Sequence, residues 1–270
     1  MSQINKLKIF NDPIYGFITI PNELIYDLIQ HSYFQRLRRI SQMGLSYLVY
    51  PGANHTRFHH ALGCMHIMQK AVESLRFKGV VISSEEENAL YIAILLHDIG
   101  HGPFSHAMES SIVEDVHHEA ISLLFMQQLN EEFDGKLSLA IQVFKGEYHR
   151  KFMLQLISSQ LDMDRMDYLK RDSFYSGVAE GNINSERLIQ MMNVQDDYLV
   201  IEEKGIYLTG GLTNLKGLPT YIRERVGLPV TTVDEPELCA VKGLQKIILD
   251  KEYYKKLTYS MLDEDYRWLR

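Results

Sequence analysis

The stretch Ser84-Glu-Glu-Glu-Asn-Ala-Leu-Tyr-Ile-Ala-Ile-Leu-Leu-His-Asp-Ile-Gly-His-Gly-Pro103 decides the fold of this chain. Its first four residues have the pattern of a capping box, which marks the start of a helix. The apolar run 89–96 is hydrophobic on nearly every face, and a helix of that kind is buried. The glycines and Pro103 that follow end the helix. His97 and Asp98 are therefore predicted to lie at the end of a core helix.

Helical patterns continue on both sides of this stretch. Apolar residues recur at helical spacing over 23–43, with an interruption near His31-Ser32, and a further helix is predicted from about His59 to Phe77. Downstream, helices are predicted over 117–129, 136–144, 150–159 and 163–172. Residues 6–21 alternate around Asn11-Asp12-Pro13 and Gly16, which predicts a short β-hairpin. The predicted fold class is mainly α, with a short N-terminal β-hairpin.

The predicted secondary structure changes from helical to mixed α/β near Leu199. Residues 198–209 predict two short strands with a turn near Lys204-Gly205. A helix, a strand over 228–233 and a terminal helix are predicted after them. We therefore predict two domains, a helical one over residues 1–205 and a small α/β segment over residues 206–270.

Composition narrows the classes of function. Hydrophobic residues make up 46% and charged residues 23% of the chain, which is typical of a soluble globular protein. No stretch approaches the roughly 18 apolar residues of a membrane span, and the polar start does not resemble a signal peptide. Cys64 and Cys239 form no CxxC pattern, which favours a cytoplasmic location. The net charge of −7 argues against nonspecific binding of nucleic acid.

All eleven histidines lie between His31 and His149, and such a concentration indicates a site. Neighbouring residues on a helix point about 100° apart, so His97 and Asp98 would hold a metal ion only from its edge. His60 and Asp164 would complete the coordination from neighbouring helices. Two imidazoles and two carboxylates suit Mn²⁺, Fe²⁺, Co²⁺ or Zn²⁺, and suit Mg²⁺ less because it prefers oxygen ligands. A plain helix cap is the alternative interpretation of the His-Asp pair.

This order of histidines and aspartates resembles the HD superfamily of metal-dependent phosphohydrolases. The flanking sequences resemble its deoxynucleoside triphosphate (dNTP) triphosphohydrolase branch, which includes dGTPase-like enzymes. The segments that carry the resemblance are 35–38, 51–63, 96–106 and 162–172, and it spans roughly residues 6–205. It implies a helical HD domain, a divalent metal ion, a homo-oligomer, and hydrolysis of a nucleoside triphosphate to nucleoside and triphosphate.

The resemblance also assigns roles to the residues at matching positions. The implied metal ligands are His60, His97, Asp98 and Asp164. The implied catalytic cluster, which activates water or protonates the leaving group, is His101, His106, Glu109 and His118. The implied substrate contacts are Arg57, Arg165 and Tyr168 for the triphosphate and Asp172 for the sugar.

For several residues a purely structural role is the alternative to these functional roles. His101 and His106 could cap helices, and Asp162 and Asp167 could be structural or support the ligands. The remaining histidines are interpreted as core, surface or neighbouring residues without a role: His55, His59, His66, His117 and His149. Gln35, Arg38 and Gln42 fall where some relatives bind regulatory nucleotides, but they fit an ordinary helix surface equally well.

The end of the chain resembles a different family. Segments 205–217 and 227–243 are similar to the C-terminal part of the bacterial actin-like, rod-shape-determining ATPases. The phosphate loop that completes the ATP site in that family is absent here, so we do not expect the segment to bind ATP by itself. Gly205-Ile206-Tyr207 suits both families, which leads to the hypothesis of a chimera joined at this tripeptide, without the helical region that carries nucleoside contacts in triphosphohydrolases.

Three functions therefore compete at this stage. The first is an active dNTP triphosphohydrolase. The second is a broader HD enzyme that cleaves nucleotide monophosphates or phosphodiesters. The third is an impaired fusion that binds metal without turnover, or a filament-associated module directed by its tail.

Overall fold

The computed structural model describes residues 8–104, 117–181 and 183–202, and beyond them 206–208, 217–226, 230–232 and five single positions. The chain forms two compact units, residues 1–202 and residues 203–270. Among the described residues, no helix combines the length and apolar character needed to cross a membrane.

The first unit begins with the predicted hairpin. Strand β1 (Ile9–Asp12) pairs antiparallel with β2 (Gly16–Thr19), with Asp12 opposite Gly16. Asp12 Oδ1 accepts hydrogen bonds from the backbone nitrogens of Ile14 (2.9 Å) and Tyr15 (3.1 Å), which closes the turn. Gly16 completes the turn with a φ of 72°, a conformation that glycine adopts without strain.

The helical pattern after the hairpin forms shorter pieces than the sequence predicted. Helix α1 (Glu23–Gln30) ends at His31, whose ψ of 142° is extended, and α2 (Ser32–Gln35) follows. The predicted continuation to Met43 was wrong. The chain passes into a 3₁₀ turn over Arg36–Arg39, and the extended backbone of Ile40 then ends the helical run.

Two long helices form the centre of the first unit. Helix α3 (Arg57–Phe77) starts two residues before the predicted position, and α4 (Ser84–Leu96) is buried throughout 89–96, as predicted. The capping box of α4 uses Ser83 and Glu86, so the cap is one residue earlier than the sequence suggested. His97 is the C-cap of α4, which confirms its predicted place at the end of a core helix.

Four further helices of the first unit agree with their predicted positions to within a few residues. They are α5 (His118–Glu132), α6 (Ser138–Phe144), α7 (Lys151–Ile157) and α8 (Met163–Ser176). Helix α4 packs against α3, α6 and α7, and α3 packs against α8. Helix α9 (Ser185–Met191) and strand β3 (Met192–Gln195) were not predicted.

The strands near the boundary pair differently from a simple hairpin around Lys204-Gly205. Strand β4 (Tyr198–Ile201) pairs antiparallel with β3 in the first unit. In the second unit, β5 (Ile206–Leu208) is followed by α10 (Leu218–Val226) and pairs parallel with β6 (Val230–Thr232). The predicted terminal helix lies outside the described residues. The fold class is confirmed as a mainly α domain with an N-terminal hairpin, followed by a small α/β segment.

Close packing of α3 against α8 depends on Gly63. A Cβ atom at this position would overlap Asp167 Oδ1 and Arg171 Nη2, which project from α8. We predict that Gly63→Ala lowers the free energy of unfolding by about 1–3 kcal/mol, the usual cost of overpacking a core. Urea denaturation followed by circular dichroism measures the change. The matched control is Gly102→Ala, where a Cβ would meet nothing within 4 Å. Equal losses in the two variants would contradict this account.

The Glu86 carboxylate ties the start of α4 to the loop between α6 and α7. It accepts hydrogen bonds from the Ser83 backbone nitrogen (2.8 Å), the Tyr148 hydroxyl (3.0 Å) and Arg150 Nη1 (3.0 Å). Burial acts to raise the pKa of Glu86, but these hydrogen bonds outweigh burial and hold its pKa below the ordinary value. The charged form of Glu86 therefore stabilises the fold.

We predict that Glu86→Gln lowers the free energy of unfolding by about 1–3 kcal/mol at neutral pH, as expected for hydrogen bonds to a charged group. Because the folded-state pKa is lowered, this contribution is complete above the ordinary glutamate pKa and is lost as pH falls through the folded value. The stabilities of wild type and variant should therefore converge in acid. Glu85→Gln, at an exposed neighbour, is the control and should change little at any pH. A difference that stays constant from pH 7 to pH 3 would refute the assignment.

Candidate metal centre

Three helix ends bring the predicted metal ligands together. His60 lies in the first turn of α3, His97 and Asp98 follow α4, and Asp164 lies in the first turn of α8. The side chains of His60, His97 and Asp98 are buried, and that of Asp164 is 33% exposed. The centre is therefore shielded from solvent at His60, His97 and Asp98 and partly exposed at Asp164 on α8.

The distances between the ligand atoms suit one ion. Asp164 Oδ1 lies 3.0 Å from His60 Nε2 and 3.5 Å from His97 Nε2. Asp98 Oδ1 lies 3.5 Å from His97 Nε2, and Asp98 Oδ2 lies 3.8 Å from His60 Nε2. Ligands about 2.1 Å from a common ion are about 3.0–3.8 Å apart at coordination angles of about 90–130°. All four separations fall in that range.

Hydrogen bonds on the far side of each imidazole orient the ring. His97 Nδ1 donates to the Ile94 carbonyl oxygen (2.6 Å), so His97 Nε2 carries the lone pair. That nitrogen is buried and forms no hydrogen bond within the part of the chain that the structure describes. His60 Nδ1 bonds Asp167 Oδ2 (2.8 Å), which likewise leaves His60 Nε2 for an ion. Metal-binding histidines are commonly held in this way, and the donor set fits a divalent cation.

The charges of the centre call for a cation among the ligands. Burial disfavours the charged form of His60, but neighbouring groups, Asp164 among them, raise its pKa well above the ordinary value. Burial also opposes a charge on His97, yet Asp98 and Asp164 raise its pKa. The pKa of Asp98 is well below its ordinary value because His97 and His101 outweigh the effect of burial. The surroundings of both imidazoles therefore favour positive charge at the centre, which a bound cation would supply.

Cys64 is a neighbour of the centre that the sequence analysis missed. Its Sγ lies 3.5 Å from His60 Nδ1 and 3.6 Å from His60 Nε2, one turn further along α3. Cys64 Sγ, His60, His97 and Asp164 all offer ligand atoms within 4.8 Å of one another. Burial, however, raises the pKa of the Cys64 thiol, and metal binding needs the thiolate. Asp98 rather than Cys64 therefore remains the predicted fourth ligand. The four-residue spacing from His60 is the sequence signal that could have revealed this contact.

The predicted catalytic histidines that the structure describes lie on the Asp98 side of the centre. His101 Nε2 is 3.3 Å from Asp98 Oδ1, and the His101 ring stacks on His118 with centroids 3.8 Å apart and planes at 19°. Burial, assisted by Arg57 and His118, lowers the pKa of His101 to about 4 although Asp98 acts to raise it. His101 is therefore neutral at pH 7 and can accept a proton. His106 and Glu109 lie outside the described residues.

The predicted substrate-binding residues do not all lie at the candidate metal centre. Arg57 Nη1 is paired with Asp98 Oδ2, which places a buried guanidinium beside the candidate metal site. Arg165 extends toward solvent, with its side chain 52% exposed and its Nε bonded to the Ser159 carbonyl oxygen (3.0 Å). Tyr168 is half-buried one turn after Asp164 on α8. The structure thus brings Arg57, but not Arg165, into contact with the metal ligands.

Asp172 is held by a residue that the sequence analysis assigned no role. His55 Nε2 lies 2.6 Å from Asp172 Oδ1, and the buried His55 ring stacks on Tyr175 with centroids 4.5 Å apart. The side chain of Asp172 is 28% exposed. No spacing in the sequence pointed to this pair, because 117 positions separate its members.

Three other histidines contact residues outside the candidate metal centre. His59 Nδ1 accepts a hydrogen bond from the Thr56 backbone nitrogen (3.2 Å) as part of the cap of α3. His66 packs against Tyr15 with ring centroids 5.2 Å apart, and His149 packs against Tyr148 at 4.4 Å. These contacts agree with the interpretation of the three residues as structural.

Two family models match the chain. The model described as HD domain matches residues 57–172, which contain the four candidate ligands. Residues 57–172 are therefore similar to HD domains. The model described as MreB/Mbl protein matches residues 196–256, which include the strands and helix of the second unit.

Relatives of the HD part include proteins of bacteria and eukaryotes. A Bacillus subtilis protein, YwfO, described as uncharacterized, is 39% identical over 213 residues, which are 76% of this chain and 48% of that protein. The deoxynucleoside triphosphate triphosphohydrolase SAMHD1 homolog of Dictyostelium discoideum is 33% identical, over 74% of this chain and 42% of its own length. The chain thus spans less than half the length of these relatives.

Two solved structures are similar to this chain. A crystal structure of a phosphohydrolase from Bacteroides thetaiotaomicron is 59% identical, has a TM-score of 0.71 and covers 73% of this chain and 49% of its own. A hypothetical protein from Aquifex aeolicus is 25% identical, with a TM-score of 0.64, and covers 96% of this chain and 76% of its own.

Metal affinity should depend on Asp164 and not on Asp172, a carboxylate further along α8. We predict that Asp164→Asn weakens Mn²⁺ binding by more than about tenfold, the lower range seen for residues that only support ligands. Asp172→Asn, which alters the His55 contact instead, should leave the affinity near that of wild type. The free-ion electron paramagnetic resonance signal during a Mn²⁺ titration measures both constants. Equal weakening in the two variants would argue against the ligand assignment.

Proposed function

We propose that this chain is a metal-dependent HD phosphohydrolase that hydrolyses deoxynucleoside triphosphates to nucleoside and triphosphate. The observation that carries the proposal is the cluster of His60, His97, Asp98 and Asp164, whose ligand atoms are spaced for one divalent ion. Mn²⁺, Fe²⁺, Co²⁺ and Zn²⁺ suit the mixed nitrogen and oxygen donors, and Mg²⁺ suits them less.

A divalent ion at these ligands would supply Lewis-acid chemistry at the phosphorus and lower the pKa of bound water. Arg57, paired with Asp98, adds a fixed positive charge beside the position of the reacting phosphate. His101, neutral at pH 7, accepts a proton from the attacking water and can then transfer that proton to the leaving oxygen. His118 orients His101 by stacking, and His106 and Glu109 belong to the same proposed cluster.

The choice of a deoxynucleoside triphosphate has two supports. Three relatives that match this chain carry the name deoxynucleoside triphosphate triphosphohydrolase, those of Dictyostelium discoideum at 33% identity, Mus musculus at 30% and Danio rerio at 29%. In addition, Asp164, Tyr168 and Asp172 recur every fourth residue and so share one face of α8. In our proposal Tyr168 and Arg165 contact the triphosphate, and Asp172 contacts the sugar.

A second candidate is a fusion that binds metal without turnover. The match of residues 196–256 to the MreB/Mbl model supports it, because that match begins inside the first unit, which extends to residue 202. We propose that residues 1–205 are the HD domain, that residues 206–270 are a fragment of an actin-like ATPase, and that the two join at Gly205-Ile206-Tyr207. Sequencing the coding DNA across codons 204–208 tests the join directly. A homo-oligomeric state and a cytoplasmic location remain predictions.

One assay separates the candidates. Purified full-length protein is incubated with Mn²⁺ and each deoxynucleoside triphosphate, and nucleoside, triphosphate, monophosphate and pyrophosphate are quantified. We expect nucleoside and triphosphate in equal amounts. Asp164→Asn should lose turnover, whereas the exposed-site control Glu85→Gln should keep the turnover of wild type. Release of monophosphate or pyrophosphate would instead indicate the broader HD enzyme. Mn²⁺ binding without any product would indicate the impaired fusion.

A further inference from the structure

A buried chain of alternating charges extends from the candidate metal centre to the N-terminal hairpin. His60 Nδ1 bonds Asp167 Oδ2 at 2.8 Å. Arg171 binds the same carboxylate with two nitrogens, Nε to Oδ2 at 2.8 Å and Nη2 to Oδ1 at 3.0 Å. Arg171 Nη1 then donates to Asp12 Oδ2 at 2.8 Å. These four residues, which we term the relay, connect the α3 ligand to the last residue of β1.

The relay is shielded from water along its whole length. The side chains of His60, Asp167 and Arg171 are fully buried, and Asp12 is 6% exposed. Unpaired charges in such surroundings are strongly destabilising, so every member depends on its neighbours. Burial acts to lower the pKa of Arg171, but Asp167 and Asp12 outweigh it and raise the pKa. Arg171 is therefore a permanent cation between two carboxylates.

The geometry of the relay fixes Asp167 more tightly than anchoring the hairpin would need. Both oxygens of Asp167 are held by the planar fork of Arg171, which prevents the carboxylate from rotating. The third nitrogen of the fork is held by Asp12, whose other oxygen accepts from the backbone nitrogens of Ile14 and Tyr15. The direction of the His60 ring is thus set by a carboxylate that has no freedom to turn.

We propose that Arg171 and Asp12 are positioning residues of the metal centre, which hold Asp167 and, through it, the His60 imidazole in the orientation that metal binding requires. The hairpin is then part of the metal centre and not only a cover for the helices. This inference rests on the metal centre of the proposed function. If it is correct, a change at Asp12, which Asp167 and Arg171 separate from the ligand His60, alters metal affinity in the folded protein.

Titration of full-length variants with Mn²⁺ tests the relay, with free Mn²⁺ followed by electron paramagnetic resonance. The variants are Asp12→Asn, which removes the charge, and Arg171→Lys, which keeps the charge but loses the fork. Glu23→Gln is the matched control, because it breaks the exposed ion pair of Lys8 with α1 and leaves the relay intact. The thermal midpoint of each metal-free variant is measured in parallel.

We expect the Mn²⁺ dissociation constant to rise about 3–10-fold in Asp12→Asn and about 10–100-fold in Arg171→Lys, the range for partners of metal ligands. Glu23→Gln should bind like wild type. Folded Asp12→Asn and Arg171→Lys proteins that bind Mn²⁺ with the wild-type constant would overturn the inference, even if their thermal midpoints fall. A wild-type protein that binds no Mn²⁺ would instead overturn the proposed function.

A measurement on the wild-type protein covers the case in which the variants do not fold. If metal binding and the hairpin are coupled, Mn²⁺ must stabilise the hairpin by the same free energy that the hairpin contributes to metal binding. Hydrogen–deuterium exchange of residues 9–19 should therefore slow several-fold when Mn²⁺ is added, more than that of the β3–β4 hairpin over 192–201. Equal or unchanged exchange in the two hairpins would contradict the coupling.

Discussion

Buried carboxylates that need a positive charge determine how the first unit is built. Asp98, Asp164 and Asp167 come together where α3, α4 and α8 meet, and each faces an imidazole or a guanidinium. Burial of such charges is favourable only when their partners are held in place. The close approach of α3 to α8 at Gly63, the cap of α4 at His97 and the position of the hairpin all serve this arrangement.

The sequence predicted those features that depend on local pattern. The apolar run before His97 predicted the place of the His-Asp pair, because a helix that is apolar on nearly every face is buried, and the glycines and Pro103 that follow end it. The alternation around Asp12 and Gly16 likewise predicted the hairpin. The spacing of His60, His97, Asp98 and Asp164 predicted a common centre, and the structure places these four side chains around one point.

The features that the sequence did not predict depend on contacts between distant residues. The pairing of His55 with Asp172 and of Arg171 with Asp12 joins positions 117 and 159 residues apart, which no local periodicity records. The strands near residue 200 were placed correctly, but their partners were not, because pairing is decided by the whole fold. The end of the first helical run was also missed, since the extended backbone at Ile40 overrides a helical pattern.

The link between Asp12 and Arg171 also has a consequence for synthesis of the chain. Asp12 leaves the ribosome 159 residues before its partner. At roughly 5–20 residues per second, the hairpin waits about 8–30 s for the guanidinium that neutralises its carboxylate. During that interval Asp12 must remain hydrated, so the hairpin cannot settle into its buried place until α8 has emerged. Assembly of the first unit is therefore expected to be a late and largely concerted event rather than a sequential one.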